Sequence, residues 1–404
     1  MESQRKSNTP SLFIDKEAVF ALLLCQEGLL APVNHLMNEK EMLEVDKTGL
    51  FDGQSFPFSF ILAPAGKRNE RVMKESKSGD EIMLICENQI CGKLIVDSVF
   101  GIDKQQRLFN IMSGNIYSKK AQHIHRRLGN YAICGEYELY LQSENFSFKD
   151  YANKQNIAKF KRENEAQGVT AMVLDASPIT RIHERIFRFI LEENHLLVLL
   201  LLRRQEEGLL DFYIRKTCLE FVLENYLPRN RIAVFPLDDI YLFAGTHGII
   251  LDAILAQNLG CDRIAIGENY PNLAFYYDNQ KIYSIFDTTK DIKIKVKLLS
   301  AFVYCNQCNT IVSPKTCPHS KHHHIDYHSG FLQGILQFGL IPPTILVRKE
   351  VSAKILSYLF PKRFSLLIKQ FGAMFANNGM IDEKQDDESF YLKLTDIYQT
   401  HSLN

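Results

Sequence analysis

Between Thr170 and Gly267, short apolar runs alternate with amphipathic stretches, and that alternation leaves few folds open. Thr170-Ala171-Met172-Val173-Leu174 reads as a buried strand, and the segment after it carries Ile182, Ile186, Phe189 and Ile190 on one helical face. Residues 196–202 (LLVLLLL) follow as seven consecutive apolar residues, then a helical stripe of Ile214, Cys218, Phe221 and Val222. The strand 231–235, a helix from about Thr246 to Asn258, and the strand 262–267 complete the series. A strand apolar along its whole length needs cover on both faces. Such strands, joined by helical crossovers, predict an α/β fold with a doubly wound parallel sheet. Ligands in that architecture bind outside the carboxyl ends of the strands, so loops 175–180, 237–247 and 267–272 are the places to look. The seven-residue run is the longest apolar one. It falls far short of the ~20 residues that span a bilayer, so no membrane partner is expected.

The chain is too long, at 404 residues, for one ordinary core. Residues 1–168 are strand-rich: Phe58–Leu62, Ile82–Ile85 and Lys93–Val96 are separated by Asp52-Gly53, Ser78-Gly79-Asp80 and Cys91-Gly92, which predicts a small β-barrel or sandwich-like domain. The polar stretch 148–168 has little to bury and marks the boundary. Residues 169–300 then form the α/β domain, 301–328 a zinc finger, and 329–404 a helical subdomain whose acidic end, beyond Asn377, is expected to be loosely held.

The finger rests on Cys305-x2-Cys308-x8-Cys317, with His319 and His322 just beyond. Tetrahedral zinc needs four such soft or borderline donors brought together by tight turns, which Pro314 and Pro318 favour. Three thiols are fixed by the spacing; the fourth donor is left open between His319, in a C-x-H loop, and His322, in C-x4-H. Nothing in the spacing calls for an open coordination position, so the zinc is read as structural.

Lys+Arg and Asp+Glu both number 47, and residues 1–168 balance at 22 against 22. Nucleic-acid domains carry a basic excess, so a nucleic-acid partner is not expected. Nine cysteines and a polar start without an apolar leader point to a reducing cytoplasm.

Gly28-Leu29-Leu30-Ala31-Pro32-Val33-Asn34-His35-Leu36-Met37-Asn38-Glu39, the Asn225–Arg231 stretch (NYLPRNR), Ala244-Gly245 before a helix, Asn258-Leu259-Gly260-Cys261 before a strand ending in Gly267, the finger, Ser329-Gly330, Pro342-Pro343 and Arg348-Lys349-Glu350-Val351 occur in one order. This ordered set resembles the bacterial and archaeal ATP sulfurylases, or sulfate adenylyltransferases. The resemblance implies a PUA-like β-domain followed by a nucleotidyltransferase domain, and a reaction joining ATP and sulfate to adenosine phosphosulfate and pyrophosphate. It also implies an adenine nucleotide, possible Mg²⁺ with it, an oxyanion and room for a homo-oligomer. Ser177, Thr180, His183, Ala244, Gly245, His247, Gly267 and Asn269 fall at the implied nucleotide positions, with His183 the one surviving catalytic candidate.

The departures concern charge. Where the family has Q-x-R-N-P-x-H-x-x-H, this chain has Leu174, Ala176, Ser177, Pro178, Thr180 and His183. The arginines of M-R-Y-A-G-P-R-E-A fall on Leu242 and His247, G-R-D-H-A-G becomes Gly267-Glu268-Asn269-Tyr270-Pro271-Asn272, and the threonine and arginine of S-G-T-x-x-R become Phe331 and Gly334. Each lost donor to the developing charge costs about 3–4 kcal/mol. The expectation is a catalytically impaired relative that still holds a nucleotide. The alternative is a transferase with relocated cations, for which the candidates are Arg181, Arg185, Arg203 and Arg204 beside the strand ends or the first helix, and Lys119, Lys120, Arg126 and Arg127 flanking His123 and His125 in the N-terminal domain.

Overall fold

A computed structural model describes residues 9–112, 114, 116–140, 150–193, 195–203, 209–238, 240, 247–267, 285–287, 289, 291–299, 301–325, 327, 329–374 and 386–401. The chain divides into two compact units, Met1–Val173 with Phe235–Leu298, and Leu174–Val234 with Leu299–Asn404.

The first unit opens with β1 (Ser11–Phe13), α1 (Lys16–Gln26), α2 (Glu39–Thr48), β2 (Leu50–Phe51), β3 (Gln54–Ser55), β4 (Leu62–Pro64) and α3 (Lys67–Glu75). It continues with β5 (Glu81–Cys86), β6 (Gln89–Gly101), α4 (Lys104–Ile111), α5 (Lys119–Arg127), β7 (Leu128–Leu139) and α6 (Lys154–Glu163). Of the barrel and sandwich-like alternatives expected for the strand-rich part, the structure has one five-stranded mixed sheet, ordered β1-β5-β6-β7-β4, with helices as its second layer. α1 is buried from Val19 to Cys25, too apolar all round for a surface helix.

Three local expectations give way. Phe58–Ile61 is not a strand: Pro57 interrupts the ladder, and the Phe60 carbonyl accepts from Met37 N–H (2.9 Å) while its aromatic neighbours fill the core. Cys91-Gly92 is not a turn but lies inside β6, where a Cβ on Gly92 would sit 2.5 Å from the Glu138 carbonyl oxygen. The hairpin turns instead at Glu87-Asn88, both at positive φ (49° and 63°). The polar stretch 148–168 contains α6, whose Ile157 is buried, along with buried Tyr151.

The α/β part contains β8 (Gly168–Leu174), α7 (Arg181–Leu191), β9 (His195–Arg203), α8 (Phe212–Tyr226), β10 (Ile232–Asp238), α9 (Gly248–Asn258), β11 (Arg263–Gly267) and β12 (Lys295–Leu299). Strand order is β10-β9-β8-β11-β12, with β8 and β11 parallel in the register Arg263↔Thr170 and Ile264↔Ala171. The order runs outward from β8 and then resumes on its other side with β11, the reversal expected of a doubly wound sheet. All seven residues of β8 are buried, as a strand covered on both faces requires. Among the described residues no helix is long and apolar enough to cross a membrane.

In the second unit, β13 (Val303–Cys305), β14 (Thr310–Val312) and β15 (His324–Ile325) form a small antiparallel sheet. Helices α10 (Ser329–Gln337), α11 (Lys349–Leu359), α12 (Arg363–Met374) and α13 (Asp387–His401) complete it. Of the acidic end, residues 378–385 lie outside the described residues, while 386–401 are held by packing and ion pairs. α13 buries Tyr391 and Thr395, and Lys354–Glu388 (2.8 Å) and Lys349–Asp396 (2.9 Å) tie it to α11.

Candidate functional site

The finger brings four donors together. The Cys305 Sγ accepts from the Cys308 amide (3.4 Å), the mark of a Cys-x-x-Cys knuckle, and the turn at Ser313–Cys317 (Cys317 N–H to Ser313 O, 3.0 Å) returns Cys317 to it. His319 Nδ1 lies 3.2, 3.5 and 3.7 Å from the sulfurs of Cys308, Cys305 and Cys317, and the Cys308 and Cys317 sulfurs are 3.8 Å apart. A tetrahedral zinc with Zn–S of ~2.3 Å and Zn–N of ~2.05 Å requires edges of about 3.8 Å between sulfurs and 3.5 Å between sulfur and nitrogen. The observed spacings match those edges, so the donor set fits a four-coordinate metal. His322, the other candidate, sits exposed on the 3₁₀ turn Lys321–His323 and is outside this group. Burial opposes ionisation of Cys305, but the Cys308 and Gln307 amides outweigh it and bring the thiol to about 7. Burial and the neighbouring thiols push Cys308 up to about 11. Thiols that compete for one negative charge are what a divalent cation relieves.

The turn after β8 closes on itself. Ala176 is held at φ +50°, a conformation that costs a non-glycine residue about 1–2 kcal/mol. The Ser177 hydroxyl donates to Gln333 Oε1 (2.6 Å) and accepts from the Leu210 amide (3.4 Å). Thr180 caps α7. Its amide donates to His183 Nδ1 (3.1 Å), which makes that nitrogen an acceptor and places the ring proton on Nε2. The next amide, Arg181 N–H, donates to Leu346 O (2.8 Å), and the His183 amide to Thr180 Oγ1 (3.5 Å). The Thr180, Arg181 and His183 amides, three that this helix N-terminus could offer to an anion, are thus spent within the protein. Burial lowers the His183 imidazole to about 4, so the surviving histidine is neutral at physiological pH.

Two of the four candidate arginines near this turn make contacts within the protein. Arg181 Nε donates to Thr344 O (2.9 Å), and Arg203 lies over the Phe212 ring (4.8 Å). Arg185 is exposed, and Arg204 lies outside the described residues. Two further arginines hold the surrounding structure: Arg215, which no sequence motif marks, and Arg348 of the closing motif. Arg215, almost wholly buried, donates from Nη1 to Asp175 O (2.6 Å) and Leu202 O (2.9 Å) and from Nε to Leu210 O (2.9 Å). It pins the chain just past β8 and at the end of β9. Its spacing with Leu219 and Val222 (i, i+4, i+7) was the available signal for burial. Arg348 forms a two-pronged ion pair with Glu184 (2.7 and 2.8 Å) and stacks on Tyr226 (3.3 Å to the ring centre).

His247 is exposed and precedes α9 without a side-chain cap, its carbonyl accepting from Ile250 N–H (3.0 Å). Gly267 ends β11. Ala244, Gly245 and Asn269 lie outside the described residues. Asp238, at the end of β10, accepts a hydrogen bond from the Tyr151 hydroxyl.

Known proteins share this architecture. Residues 1–140 match the PUA-like domain family. "Sulfate adenylyltransferase" of Psychrobacter sp. (strain PRwf-1) is 24% identical over 358 residues, covering 85% of this chain and 84% of the relative. The protein of that name from Carboxydothermus hydrogenoformans is 23% identical over 369 residues, covering 88% and 94%. A solved structure, "Hexameric APS kinase from Thiobacillus denitrificans", shares the fold with a TM-score of 0.66 at 15% identity, covering 91% of this chain and 69% of that one. Residues 150–358, more than half of the 404, match the ATP-sulfurylase family, and the chain belongs to that family.

Proposed function

We propose that this chain is a sulfurylase-fold protein that no longer joins ATP to sulfate and serves as an adenine-nucleotide-binding member of its family. The observation that carries this reading is the inward-facing turn after β8, with Ser177 on Gln333, Thr180 on His183, and His183 neutral. Leaving-group charge in adenylyl transfer needs cations or free donors aimed at it, each worth about 3–4 kcal/mol. At the matched positions Leu174, Ala176 and Leu242 supply neither.

Nucleotide binding is inferred from the relatives named sulfate adenylyltransferase and from two backbone positions that need no cationic side chain, the α9 N-terminus at His247 and the glycine ending β11. Mg²⁺ would enter only with the nucleotide. We assign the metal of the Cys305, Cys308, Cys317 and His319 group as zinc, in a structural role, because three thiolates and one imidazole fill a four-coordinate shell. Calorimetric titration with ATP, ADP, adenosine phosphosulfate and sulfate tests the binding reading. It expects saturable heat with an adenine nucleotide and none with sulfate alone. Tight sulfate binding would show that an anion site persists and would overturn it.

A further inference from the structure

The PUA-like domain contains a cavity of about 380 Å³ that the reading above does not use. Its position follows from the sheet. β1 and β4 are the two ends of the order β1-β5-β6-β7-β4, yet Phe13 at the end of β1 and Leu62–Pro64 of β4 both line this one space. The sheet therefore curls until its edges face each other. At one end the Asn69 side chain stitches them: Oδ1 accepts from Phe13 N–H, and Nδ2 donates to Phe13 O and Ala65 O, all at 2.8 Å. Beyond that stitch the gap stays open, with α1 and the end of α5 as its other walls.

The walls are apolar: Leu22, Leu36, Phe60, Leu62, Ile124 and Leu128 among them, each nearly inaccessible from outside. The polar residues among its lining are Asp15, Arg126 and Arg127. Arg127 is fully engaged, with Nε and Nη2 on Asp15 (2.7 and 2.6 Å) and Nη1 on Glu17. Burial would raise the Asp15 carboxyl, but the Arg127 guanidinium outweighs it and holds the pKa below the ordinary value, so Asp15 stays ionised and matched. Arg126 is different. It is exposed and, among the described residues, has no acceptor. The lining thus offers an apolar chamber at the small end of the range for small-molecule sites (about 300–1,000 Å³) and one uncommitted guanidinium.

We propose that this cavity binds an amphipathic monoanion, an aliphatic body of about ten carbons carrying a carboxylate that pairs with Arg126. The site lies wholly within residues 13–128, so it stands or falls independently of the nucleotide reading.

Calorimetry on the full chain with decanoate and with decanol tests it. One decanoate per chain is expected, bound about tenfold or more tighter than decanol, since a charge-assisted hydrogen bond separates them. Arg126→Gln, at an exposed position that leaves the fold intact, should bring decanoate down to the decanol affinity. Ala21→Leu fills the chamber from α1 and should weaken both ligands together. No saturable heat from decanoate up to about 1 mM would overturn the proposal. So would equal affinity for the two ligands in the unmodified chain, or an Arg126→Gln variant that keeps the preference.

Discussion

Arg348 sits in a stretch resembling the family's closing motif, and the geometry assigns it to structure rather than to anion binding. Its guanidinium makes two charge-assisted hydrogen bonds to Glu184, and the side chains are only 14% and 7% exposed. Arg348→Ala would leave the Glu184 carboxylate buried in α7 without its cation, and removing one partner of such a pair costs about 3–5 kcal/mol. Part of this is the Tyr226 stack, worth about 1 kcal/mol. Arg348→Lys keeps the charge but loses the planar fork, so it should cost roughly half as much. Glu184→Gln with Arg348→Met removes both charges at once and should cost about 1–3 kcal/mol less than the sum of the two single substitutions, which is the coupling of the pair. Native-state hydrogen exchange of α7 and α11 is the suitable assay, because a chain of this size need not unfold in one step. Arg348→Ala should accelerate exchange there by roughly a hundred- to several-thousand-fold. A change within about 0.5 kcal/mol, or accelerated exchange with no coupling in the double variant, would refute this assignment.

Other expectations follow from the same contacts. Metal analysis of the purified chain should return about one zinc per chain, and Cys308→Ser should lose it and destabilise the finger; no zinc after anaerobic purification would contradict the donor geometry. His183 should make the fold acid-sensitive. The unfolded imidazole takes up its proton near 6.5 and the folded one only near 4. This contribution is fully present above pH 6.5 and falls by about 3 kcal/mol as pH drops towards 4. His183→Gln keeps an acceptor for the Thr180 amide and should remove that slope; an unchanged slope would mean the ring does not titrate as assigned.

The α/β core was legible because its strands are buried on both faces. Residues 168–174 and 195–202 carry apolar runs that only a two-sided cover explains, and the structure buries them end to end. The metal thiols were legible because their chemistry is local: Cys305 and Cys317 are twelve positions apart and one turn joins them. His319 against His322 was not decidable from spacing, since both loops are sterically allowed. The closure of the β8 turn was hidden for the opposite reason. Ser177 meets Gln333 and Glu184 meets Arg348 across 156 and 164 residues, and no periodicity reports such pairs. The C-terminal helix was obscured by Asp386, Asp387 and Glu388, which look solvated. Asp387 instead accepts the Lys362 and Phe364 amides (2.7 and 2.9 Å), and Glu388 pairs with Lys354.

Adenosine phosphosulfate formation from ATP and sulfate, followed as pyrophosphate release with saturating Mg²⁺, bears most directly on the proposed loss of transfer chemistry. Release indistinguishable from a no-enzyme control is the expected result. A sulfate-dependent turnover near 1 s⁻¹, within the ordinary range of enzymes, would contradict it and would mean that cations other than the matched ones stabilise the leaving pyrophosphate.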